Sequence, residues 1–196
     1  MRWTPQRKDV LEALAADILH NYARGRVIVA IDGVDAPAAA SFARDVSAAI
    51  EKLGHASSAA STDDFQRPRS ERNATSAAAE FDTTYDYSTF RRILTEPFKL
   101  GGSTAFVTAS FDAVADRQLE PKWLTAPDDA VLVVGGRFLN RSELRGLWNY
   151  SVWLEQPADP TPATKLYARE RPSGRATAII DNTDAEHPRR VFADSC

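Results

Sequence analysis

The chain has 196 residues, 43% of them apolar and 26% charged, with a formal net charge of −3. It is long enough to bury a core and too apolar for a disordered polymer. The near-neutral balance excludes a globally basic nucleic-acid binder, and no apolar run reaches the roughly 18 residues of a membrane span.

The opening stretch MRWTPQRKDV lacks the apolar segment of a secretory signal, so a cytoplasmic location is expected. From 6 to 24, Val10, Leu11, Leu14, Ile18 and Tyr22 recur at helical spacing and predict an amphipathic helix. RVIVAID (26–32) is an almost unbroken apolar run, the pattern of a strand buried on both faces. Residues 36–54 place Phe42, Val46, Ile50 and Leu53 on one helical face, with Asp35 as N-cap and Gly54 as a stop. ASSAAST (56–62) falls where a second strand is due, although serine and alanine are weak strand formers. Residues 66–80 read as an arginine-rich loop, and 87–98 as a short helix ended by Pro97. STAFVTASFD (103–112) alternates like a strand, DAVLVVGG (129–136) is a second buried-type strand, and RSELRGLW is a short helix. YSVWLEQP and RATAIIDN (175–182) supply the last strands. Cys196 is the terminal residue, so neither a disulfide framework nor a thiolate metal site is expected. Strands alternating with helices predict one α/β domain over 1–196, with ligands beyond the carboxyl ends of the strands.

Several stretches, in order, resemble the uridine kinase-like branch of P-loop kinases over about residues 24–184. They are VIVAIDGVD, TDDFQRPRSER, YDYSTFRRIL, FVTASFDAVADR, AVLVVGGRFLNRSELRGLWNYSVWLE and AIIDNTD. The resemblance implies a three-layer α/β fold, a parallel β-sheet flanked by helices, with a phosphate loop after the first strand. It also implies a family reaction in which ATP and magnesium phosphorylate a nucleoside or similar hydroxyl compound, mainly by positioning and charge neutralisation.

Set against that family, the phosphate-donor side is depleted. A phosphate loop opening at Gly33 would place glycine at 38, lysine at 39 and a hydroxyl at 40; the chain has Ala38, Ala39 and Ala40. Ser41 comes one position late, about 100° around a helix, and Pro37 removes one N–H donor. Gly135 stands where the family carries Asp or Glu near magnesium. QPADPTPATKLYARERP replaces the arginine-rich lid with a short, proline-interrupted connection.

The acceptor side is better kept. By resemblance, Asp63 matches the general base that takes the proton of the substrate hydroxyl. Asp64, Asp86, Arg67, Arg69, Phe111 and Arg117 are candidate substrate contacts, with Arg72 beside them. Helix capping or solvated turns account for Asp63 and Asp86 equally well, and Glu71 or Glu80 could pair with the arginines. His20, His55 and His187 are too far apart for metal-ligand spacing. The sequence therefore predicts a non-catalytic relative of these kinases that needs no cofactor or metal. Its expected ligand is a nucleoside or small anion, with no nucleic-acid or membrane partner; whether it forms a homodimer is not derivable. Two alternatives stay open: an altered small-molecule kinase that uses Mg-ATP, and a structural or partner-binding subunit without a small ligand.

Overall fold

The computed structural model describes residues 5–192, except 23, 74, 158 and 160. Cys196 and the opening MRWT lie outside the described residues, as do two positions of the proline-rich connection.

In chain order the principal elements are α1 (Arg7–Asn21), β1 (Val27–Gly33), α2 (Ala36–Lys52), β2 (Ser57–Ser61) and α3 (Ala77–Thr83). They continue with α4 (Tyr87–Phe90), α5 (Glu96–Leu100), β3 (Phe106–Val107), β4 (Phe111–Asp112), β5 (Arg117–Gln118) and β6 (Trp123–Leu124). The last are β7 (Val131–Gly136), β8 (Tyr150–Glu155), α6 (Pro162–Ala168), β9 (Ala178–Asp181) and β10 (Arg189–Val191). A six-stranded sheet in the order β10-β9-β8-β1-β7-β2 forms the middle layer. Its strands are parallel except β10, which runs antiparallel to β9.

The strand period of two decides the layers. Val27, Val29 and Ile31 of β1 join Val131 and Val133 of β7 in a core with α1 and α2. The intervening Ile28, Ala30, Leu132 and Val134 face Phe90, Leu94 and Phe98 on the other side. Every residue of β1 and β7 is buried, as expected of central parallel strands covered on both faces.

The packing decides the open case of 56–62 and corrects several other sequence expectations. The polar 56–62 segment does form a sheet strand: β2 pairs in parallel with β7 from Ser57 to Ser61, and its serines sit at the sheet edge. Pro97 does not end its helix. A π-helical turn (Arg91–Thr95) follows α4, and Pro97 then lies in the first turn of α5, where its missing N–H is tolerated. The alternation in 103–112 is not one strand but two fragments, β3 and β4, each in its own small hairpin with β6 or β5. RSELRGLW holds only a 3-10 turn at Ser142–Leu144, and β10 adds a strand after the one read as last.

Candidate functional site

The junction between β1 and α2 is short and held by hydrogen bonds within the helix start. Val34 and Asp35 alone separate β1 from α2. The Asp35 carboxylate accepts the Ala38 N–H at 3.0 Å, and the Asp35 carbonyl accepts the Ala39 N–H at 3.0 Å. Two amides that a phosphate loop would turn on an anion are therefore used inside the helix start. Because the helix begins this early, Ala39, at the family's lysine position, is fully buried in the α1–α2 core. Gly135 is the matching surface. A Cβ there would stand 2.5 Å from the Ala39 carbonyl oxygen and 2.6 Å from the Ala40 Cα, so a side chain at 135 requires α2 to move. Here the first turn of α2 rests directly on β7. Ser41 is half-buried on the same helix.

The crevice beyond the strands is filled by aromatic rings. Phe81 of α3, Tyr85, Phe138 and Tyr167 of α6 form one buried cluster with Ala163. Phe138 packs edge-on against Phe81 and Tyr167, with ring centroids 4.9 and 5.2 Å apart. Its φ of 66° is a strained left-handed conformation for a phenylalanine, and it places the ring in this cluster two residues past β7. Arg141, almost wholly buried, closes the side: it lies 4.0 Å over the Phe81 ring, donates to the Phe81 carbonyl at 3.0 Å and pairs with Asp82 at 3.1 Å. The segment expected to fail as a lid is thus one short helix packed down on α3 through Tyr167.

At the bottom of the cluster lies Asp32, the penultimate residue of β1, with no solvent exposure. Its Oδ2 accepts the Asn140 N–H at 2.8 Å and the Tyr167 hydroxyl, while Oδ1 has no partner. Burial pushes this carboxyl up to about 7, against the pull of Tyr167 and the amides of residues 138–140. An acid with one orphan oxygen in an apolar surround favours its neutral form.

The acceptor side is built by two segments running antiparallel. Gln66 bridges Tyr85, the Arg67 N–H donates to the Thr84 carbonyl at 3.0 Å, and the Asp86 N–H to the Phe65 carbonyl at 2.8 Å. This brings Asp63, Gln66, Arg67, Tyr85 and Asp86 together. Asp63 lies in a 3-10 turn capped by the Ser61 hydroxyl, and its Oδ1 accepts from Gln66 at 2.9 Å and from the Tyr85 hydroxyl at 3.1 Å. Burial, with Asp63 adding to it, pushes Tyr85 up to about 12, so it remains a donor. Gln66 in turn accepts from Arg72 at 2.7 Å. Asp86 does cap α4, accepting the Thr89 N–H at 3.0 Å; burial raises its carboxyl, but Thr89 and Arg67 outweigh that and hold it below the usual range.

Asp64 faces a different environment, where burial and the nearby Asp63 raise its carboxyl despite Arg44 of α2. Arg69 is drawn to the β4–β5 turn, its N–H donating to Asp116 at 2.9 Å. Phe111 is buried in β4, and Arg117 lies exposed on β5. A cavity of about 330 Å3 beside the Asp63 cluster is lined by Gln66, Arg69, Arg72, Glu80, Thr84 and Arg137, among others.

Four participants were not read from the sequence. Asp32 carried a signal, a carboxylate ending an otherwise apolar strand. Gln66, Tyr85 and Arg137 did not, because their roles come from neighbours distant in the chain. Among the described residues, no cluster of His, Asp and Glu is arranged to hold a metal ion.

No protein-family model and no curated protein matches the chain. Solved structures do. A protein from Bacillus stearothermophilus described as a possible uridine kinase superposes with a TM-score of 0.76 at 21% identity, over 89% of this chain and 98% of that one. A proposed fructose transport system kinase from a Silicibacter species gives 0.59 at 20% identity, covering 90% and 85%. The D-glycerate 3-kinase of Cryptococcus neoformans gives 0.53 at 13%, covering 83% and 79%. Together with the mostly parallel six-stranded sheet and its two helical layers, these likenesses establish that the chain has the α/β fold of P-loop kinases.

Proposed function

We propose that this protein is a non-catalytic binder built on a kinase fold, with the donor half closed and a small-molecule pocket kept on the acceptor side. The observation that carries the reading is the seating of the first turn of α2 on Gly135. A Cβ at 135 would meet helix backbone at 2.5 Å, so there is no room for the metal-side carboxylate. The Ala38 and Ala39 amides are already engaged, and Ala39 is buried where a lysine would need to reach phosphate. Phosphoryl transfer draws several kcal/mol from each donor and charge that stabilises its transition state, so the absence of all of them removes many orders of magnitude in rate. The acceptor side, by contrast, keeps an ordered carboxylate, Asp63, and an adjoining cavity of about 330 Å3 with polar walls.

The test is calorimetric titration with Mg-ATP, with a nucleoside panel and with small anions. Silence to Mg-ATP with saturable binding of a nucleoside or anion is expected. Micromolar Mg-ATP binding would overturn the closed-donor reading. Silence to every compound would favour a purely structural or partner-binding role.

A further inference from the structure

The cavity beside Asp63 has an unusual charge arrangement. Arg137 directly follows β7 and is half-buried, with its guanidinium 5.3 Å over the Phe138 ring. Among the described residues no carboxylate lies within ion-pairing distance of it, and its Nε is buried without a hydrogen-bond partner. Arg72, on the same cavity, is only partly used. Its Nη1 donates to Gln66 at 2.7 Å, its Nη2 is 3.8 Å from Asp116, and its Nε is also buried and unpartnered. Elsewhere the chain pairs its buried guanidinium: Arg141 meets Asp82, Glu143 and the Phe81 carbonyl.

The Tyr85 hydroxyl and the more distant Asp63 and Glu80 only partly compensate Arg137. A partly desolvated guanidinium without an ion-paired carboxylate is unfavourable, and an oxyanion offering two oxygens on one edge best matches its paired donors. Glu80 also lines the cavity and has no ion pair among the described residues, and the Thr84 hydroxyl donates away to the Glu80 carbonyl. Asp63 and Asp116 already accept from Gln66 and from the Arg69 amide. Glu80 is thus a carboxylate on the cavity wall with no ion pair among the described residues, and it would repel a bare dianion while accepting a donor on the same ligand.

We infer that Arg72 and Arg137 form an oxyanion site for a small metabolite carrying a phosphate or carboxylate group together with hydroxyl donors that meet Glu80. This rests on the acceptor-pocket reading above and narrows it from nucleosides to hydroxylated anions. Arg137 is the centre of the site, and Gln66 links it through Arg72 to Asp63.

The test uses the full chain, titrated at constant ionic strength with ribose 5-phosphate, malate, inorganic phosphate and uncharged ribose. At least one of the two hydroxylated anions is expected to bind saturably, roughly tenfold or more tighter than ribose. Arg137→Gln should weaken that binding at least roughly tenfold, and Arg72→Gln serves as a second variant if the first does not fold. Lys122→Gln, on an exposed residue outside the cavity, should leave it unchanged. Binding by ribose 5-phosphate alone identifies a phosphate-bearing ligand, and by malate alone a carboxylate. Equal binding in wild type and in a folded Arg137→Gln or Arg72→Gln variant would overturn the inference, as would no binding of either hydroxylated anion. If nucleosides bind while these anions do not, the oxyanion inference falls and the pocket reading stands. If nothing binds, both fall.

Discussion

At the scale of single residues, Asp32 links the buried chemistry to a measurable pH response. Its carboxyl sits at about 7 in the folded chain, through burial, against an ordinary value near 4 when unfolded. Between those values the folded state holds a proton that the unfolded state has released. The associated stability is therefore complete below about pH 4 and is lost as pH rises through about 7, with a full amplitude on the order of 4 kcal/mol. Asp32→Asn keeps an acceptor for Asn140 and Tyr167 and removes the titration. The variant is expected to flatten the dependence of Tm on pH between about 4 and 7 and to melt above wild type at pH 8. An unchanged slope would show that Asp32 is not the group responsible. Asp32 also illustrates what one residue discloses in a sequence: its charge at the end of an apolar strand is visible, but its partners at 140 and 167 are not.

At the scale of elements, α6 and α2 close the molecule by different means. α6 is only seven residues long and is preceded by prolines, so it has little intrinsic helicity to hold it in place. What holds it is Tyr167, whose ring joins Phe81 and Phe138 and whose hydroxyl reaches Asp32. Tyr167→Ala should cost about 3–5 kcal/mol, the usual range for deleting a buried aromatic. Amide exchange should rise at once in α6 and in α3, which pack together, and stay near wild type in α1. Protection lost uniformly would mean that α6 is not a separate unit. α2 needs no such anchor. Its Asp35 cap, Pro37 in the first turn and alanine run are local helix-start signals, all legible in the residues themselves. The misread elements, such as the helix around Pro97 and the divided strand at 103–112, are those where packing overrode local pattern.

At the scale of the whole molecule, the proposed closure rests on how α2 sits against β7 more than on the missing side chains. Restoring the family's residues as Ala39→Lys, Ala40→Ser and Gly135→Asp should therefore not create Mg-ATP binding. Position 39 points into the core and position 135 into helix backbone, so the triple variant is expected to unfold at lower urea, by several kcal/mol. Recovery of Mg-ATP binding would mean that the site had only lost side chains. The sequence by itself determined the α/β class, the β1–α2 junction, the capped helix start and the alanines at 38–40. Those follow from local periodicity and from residue types at short fixed spacing, which a one-dimensional pattern contains. The tertiary structure alone decided that α2 rests on Gly135, that Tyr167 seals Asp32 across 135 residues, and that Arg137 stands without a carboxylate beside Arg72. Each depends on the distance between groups from different strands and helices, and that distance is set by the parallel sheet order, which brings β1, β7 and β2 side by side.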